Sequence, residues 1–151
     1  MGKVFEDYFT ELQTDMISIC LEYAEDRAEK IYIYCSYENG MISGDFFYKI
    51  NGKVVHNNKL NDALVDGEEP YDVSIDRQKG AIDIITDDIL SLKKLCQEYK
   101  RDMPTQIKLI YDVAENKVQA DYRYDIVFSN DKRKTSYDIL EEWYQSEKDK
   151  D

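Results

Sequence analysis

The chain has 151 residues, 42% of them hydrophobic and 34% charged, with 32 acids against 20 bases and a formal net charge of −12. That is enough apolar material for one globular core and too much for a disordered segment. The charge argues against nucleic acid and anionic lipid, both of which are bound by clustered Lys and Arg, and favours basic proteins as partners.

The apolar residues Phe5, Phe9, Leu12, Met16, Cys20, Tyr23 and Ala28 recur at steps of three to five and predict an amphipathic helix with Glu6, Glu11, Asp15 and Glu22 on its solvated side. Ile31 to Tyr37 and Phe46 to Ile50, separated by Asn39-Gly40 and followed by Asn51-Gly52 and a short run Lys53 to Val55, predict a three-stranded meander. In its first strand Ile31, Ile33, Cys35 and Tyr37 share one face while Tyr32 and Tyr34 share the other, so that strand is expected to be central and covered on both sides. Asn57 to Asp76 is the most acidic and least periodic stretch, and reads as a loop or short helix with a possible edge strand at Tyr71 to Ile75.

A second helix is predicted from Ala81 to Tyr99, with Pro104 barring its continuation. Alternation at Ile107, Leu109 and Tyr111, a turn at Glu115-Asn116, and alternation from Val118 to Ile126 predict a second hairpin. Thr135 to Ser146 predicts a C-terminal helix. The expected fold is therefore α+β: an antiparallel sheet built from two hairpins, packed against two long helices and a C-terminal helix, as one domain over 1–147 with a solvated tail at 148–151. Cys20, Cys35 and Cys96 are odd in number and each sits in an apolar pattern, which predicts reduced core thiols.

The longest apolar run, Ile31 to Cys35, is far shorter than the about 18 residues that a membrane-spanning helix needs. The opening Met1-Gly2-Lys3-Val4-Phe5-Glu6-Asp7 lacks the apolar stretch of a secretory signal, so a cytoplasmic location away from membranes is the expectation.

Chemistry-bearing motifs are sparse. The single histidine, His56, stands beside Asn57 and Asn58 with no ligand-spaced His or Cys, and reads as a surface residue. Asp112 with Glu115 and Lys117 has the residue types of a metal-dependent nuclease triplet but falls on a turn, where such a triplet does not work. No cofactor or metal is expected, and no catalytic residue.

Thirteen tyrosines are the more specific signal, since Tyr supplies stiff contact area with a polar tip. Tyr122 and Tyr124 share a strand face with Val118 and Ala120, which predicts their burial; on the other face Asp121 and Asp125 flank Arg123.

The run Asp121-Tyr122-Arg123-Tyr124-Asp125, the polar stretch Ile126 to Asp131, and Ile139 to Tyr144 around Trp143 resemble the C-terminal half of the YezG/EsaG-type immunity proteins. Lys30 to Tyr34 with Phe46-Phe47-Tyr48 is similar to that family's first hairpin, and Leu90 to Tyr99 to its central helix. The resemblance implies a small acidic antitoxin that neutralises the toxic C-terminal domain of a secreted polymorphic toxin, a nuclease in many cases, encoded by a neighbouring gene. Asn51 to Asp76 departs from the family pattern, as does Gln145-Ser146-Glu147-Lys148. Variable segments are where an immunity protein would tell one toxin from another, so the expected partner-binding residues are Asp62, Asp66, Glu68, Glu69 and Asp72, joined by Asp121 and Asp125. A non-enzymatic adaptor for another basic protein is the alternative that charge alone leaves open.

Overall fold

The computed structural model describes residues 4–150, and among them the chain is α+β. Its elements in order are helix α1 (Phe5–Tyr23), strands β1 (Lys30–Glu38), β2 (Met41–Ile50) and β3 (Lys53–His56), a 3-10 segment (Asn57–Ala63), helix α2 (Ile75–Glu98), strands β4 (Gln106–Asp112) and β5 (Lys117–Arg123), and helix α3 (Ser136–Asp149). The five strands form one antiparallel sheet in the order β3-β2-β1-β4-β5.

Both tight turns of the meander are closed by Asn-Gly, with φ of 54° and 76° at Asn39 and Gly40 and 49° and 78° at Asn51 and Gly52. Two consecutive positive φ angles define the turn whose twist matches the flanking strands, and Asn and Gly are the residues that reach it cheaply.

Strand β1 is central, as its two-faced pattern predicts. Ile31, Ile33 and Cys35 join the core under α1 and α2, whereas Tyr32 and Tyr34 join a second cluster with Phe47, Val54, Ile139 and Trp143 under α3. The indole of Trp143 meets Phe47 and Tyr32 edge-on at 5.0 and 5.8 Å, and the Tyr144 hydroxyl donates to Val54 O at 3.1 Å. These contacts hold α3 over the β3, β2 and β1 half of its face.

The three cysteines are buried and unpaired, and burial pushes the Cys35 thiol up to about 12. On the other side Gly44 lets α2 approach closely: a Cβ there would stand 2.7 Å from Ile85 Cγ2. Gly44→Ala should therefore cost about 1–3 kcal/mol by overpacking, read as a lowered denaturant midpoint with an unchanged slope.

Several boundaries differ from the sequence reading. Helix α1 ends at Tyr23 and not at Ala28, because Glu25 and Asp26 turn left-handed (φ 53° and 59°) and Asp26 N bonds back to Leu21 O. Helix α2 begins at Ile75, six residues before the apolar periodicity does; Arg77 fastens that first turn by donating to the carbonyls of Glu22, Tyr23 and Asp72. It stops because Lys100 turns left-handed (φ 54°) and Arg101 N bonds to Cys96 O, well before Pro104.

No strand forms at Tyr71 to Ile75, where Asn61 grips the Tyr71 backbone at both N and O. Strand β5 ends at Arg123 because Thr105 draws the next residues out of the ladder, its hydroxyl donating to Arg123 O and Asp125 O. Residues 148 and 149, expected in a solvated tail, continue α3, supported by the Gln145 to Asp149 hydrogen bond at 2.8 Å.

Candidate partner-binding surface

The acidic segment following β3 and the acids of β5 lie at opposite edges of the five-stranded sheet, four strand spacings or about 19 Å apart. They do not make one patch. Within the first group Asp62, Asp66, Glu69 and Asp72 are exposed, but Glu68 is half-buried and serves the chain itself, accepting from Val65 N at 3.0 Å and Asn51 Nδ2 at 2.8 Å. Those bonds hold its carboxyl below the usual range. Asp72 accepts from Ser74 N, which lowers its carboxyl likewise and shapes the entry to α2.

At the other edge Asp125 is held by Arg123 through two contacts of 3.1 and 2.6 Å, and the guanidinium lowers its carboxyl. Asp121 is exposed opposite Lys108 of β4, on the α3 side of the sheet, where it lines a groove with Trp143 and Glu147. Asp62, Asp66, Glu69 and Asp121 thus remain as open acids, while Glu68, Asp72 and Asp125 are engaged within the fold.

The expected burial of Tyr122 and Tyr124 is overturned. They are 39% and 56% exposed, with Val118 at 48% and Ile126 at 56%. The reason is coverage: β5 is an edge strand at the margin of α1, which meets it through Phe9, whose ring lies 5.5 Å from Tyr122, and Gln13, whose Nε2 donates to the Tyr122 hydroxyl at 2.6 Å. Beside them a groove of about 260 Å3 is lined by Phe5, Phe9, Arg101, Asp102, Pro104 and Tyr124. Exposed Tyr and Ile set around a groove with an Arg at its rim have the make-up of a binding hot spot, where apolar area is desolvated and tyrosine hydroxyls stay usable. Period-two alternation alone cannot find such a patch, because it marks a strand's apolar face without saying whether another layer covers it.

His56, expected at the surface, is half-buried. Its ring stacks on Tyr144 at 3.7 Å and its Nε2 lies 3.3 Å from Glu141, since β3 runs beneath α3. Asp45 nearby is raised by burial and accepts from Phe46 N and Asn57 Nδ2. Among the described residues no group of three or more His, Cys, Asp or Glu side chains is placed to hold a metal ion, and no helix is long and apolar enough to cross a membrane. Compared with family models and with curated proteins, the chain matches none.

Proposed function

We propose that this protein is an immunity protein that binds and neutralises the toxic C-terminal domain of a secreted polymorphic toxin, a basic nuclease domain encoded by a neighbouring gene, in the cytoplasm of the producing cell. The observation that carries this reading is the strip of exposed aromatic and aliphatic residues along β5, adjoining the acidic outer side of α1, on a body of net charge −12. Long-range attraction speeds encounter with a basic domain, and desolvated tyrosines at the contact centre slow dissociation. The resemblance of Asp121 to Asp125 and of the Trp143 helix to the YezG/EsaG-type pattern supports the same reading.

Co-expression of the protein with the toxic domain encoded beside it tests the proposal. The two should co-purify, and the toxic domain should lose its activity in the complex; a toxic domain that neither co-purifies nor is silenced would overturn it. In kinetic traces the association rate should fall several-fold between about 20 and about 150 mM salt while dissociation changes little. An association rate indifferent to salt would remove charge from the mechanism.

A further inference from the structure

Helices α1 and α2 pack side by side on the sheet, and the seam between them opens into a groove of about 260 Å3, lined by Leu12 and Asp15 of α1 and by Asp88, Ser91 and Leu95 of α2. Asp88 is only 8% exposed, and its Oδ2 has no hydrogen-bond partner. Natural folds seldom leave a buried carboxylate oxygen unpaired, because the desolvation cost is then uncompensated. The group nearest to it in effect is the Asp15 carboxyl, with which it interacts directly. The other titratable groups around Asp88 are the Tyr8 phenol and Glu11 on α1, Asp87 on its own helix and the Cys35 thiol of β1, none of them a cation. The floor is apolar, from Leu12 and Leu95.

We propose that this α1–α2 groove is a binding site for a primary ammonium group, the side chain of a lysine on a basic protein partner, with Asp15 and Asp88 receiving the charge and Leu12 and Leu95 the methylene stem. The proposal rests on the reading of the protein as a binder of a basic domain, and names where one cation of that domain enters. A compact ammonium with three donors can bridge two adjacent carboxylates, one of them recessed, whereas a planar guanidinium needs both oxygens of an open carboxylate side by side. A long aliphatic stem matches the leucine floor, as snorkelling lysines do elsewhere.

Occupancy has a protonic signature. Burial first, and then the neighbouring Asp15, push Asp88 up to about 8, so near pH 7 the empty site holds a proton on Asp88. An entering ammonium needs the carboxylate, so that proton leaves to solvent, and binding strengthens as pH rises toward 8.

The test titrates hexalysine into the full-length protein by calorimetry at pH 7 and pH 8, in phosphate and in Tris, whose different ionisation heats count the protons released. The wild type should release about one proton per peptide at pH 7 and bind about fivefold more tightly at pH 8. Asp88→Asn should release none and bind at least about threefold more weakly at pH 8. Asp15→Asn, at the exposed rim, should weaken binding and lower the proton count, while Glu115→Gln, exposed in the β4–β5 turn and outside the groove, should change neither. Peptide binding without proton release, or wild-type affinity in Asp88→Asn at pH 8, would overturn the site. Because no toxin is present, a positive result together with a neighbouring toxic domain that fails to bind would sink the proposed function and leave the groove standing. A toxic domain that binds without releasing a proton would do the reverse.

Discussion

Replacing Glu38 by Gln should lower the melting temperature by about 6–12 °C at pH 7, corresponding to about 3 kcal/mol for a chain of this size. The side chain is 3% exposed at the end of β1, and its carboxylate accepts from three successive backbone groups of the β5–α3 connection: Val127 N at 3.0 Å, Phe128 N at 3.2 Å and Ser129 N at 2.7 Å. An amide in its place turns an NH2 group toward donors that are already committed, leaving one or two of them buried without an acceptor. Burial alone would raise the Glu38 carboxyl, but the hydrogen bonds from Ser129, Val127 and Phe128 outweigh it and hold it below the usual value. A depressed value means that the stabilisation is fully present above about pH 4.3, the unfolded value, and is lost as pH falls through the folded one. The gap between wild type and Glu38→Gln should therefore close in acid; thermal melts at pH 7, 5 and 3 measure it, with exposed Glu115→Gln as the silent control. A gap unchanged at pH 3 would show that the lost packing, and not the carboxylate, carries the effect.

The second large effect belongs to the proposed contact surface. Tyr122→Ala combined with Tyr124→Ala should weaken binding of the toxic domain at least about 100-fold, chiefly by faster dissociation, since exposed aromatics beside a groove carry a disproportionate share of contact energy. Removing Asp62, Asp66 and Glu69 together should slow association only a few-fold, because open rim acids act through steering. Surface plasmon resonance separates the two, and melting curves check that the tyrosine variant remains folded. If the acid variant lost more affinity than the tyrosine variant, the contact would move to the β3 edge.

Much of the fold was legible because its signals are local. Asn39-Gly40 and Asn51-Gly52 announce their turns through φ preference, and the opposed faces of β1 announce a covered central strand through alternation. What was illegible depends on partners distant in sequence. The first turn of α2 has an almost wholly exposed Ile75 and no apolar stripe, and is held by Arg77 reaching back to Glu22 and Tyr23. The candidate site suffered most. Whether Tyr122 and Tyr124 are buried depends on how far α1 reaches across the sheet, and whether Asp66 and Asp121 are neighbours depends on strand order. The pairing of Asp15 with Asp88 arises only where two helices meet.

The position of β1 also divides the protein in time. It pairs with β2 across a two-residue turn, but with β4 only after the whole of α2 has been placed, Ser36 meeting Gln106. Closing the first pair costs little loop entropy and closing the second costs more, so the meander is the fast half of folding and the docking of β4, β5 and α3 the slow half. Until β4 arrives, β1 presents an apolar edge that any other extended chain could occupy, which makes the nascent meander the aggregation-exposed species. Glu38 sits at that boundary, gripping residues that arrive last, so its contribution falls on the unfolding rate while changes at Asn39 and Gly40 fall on the folding rate.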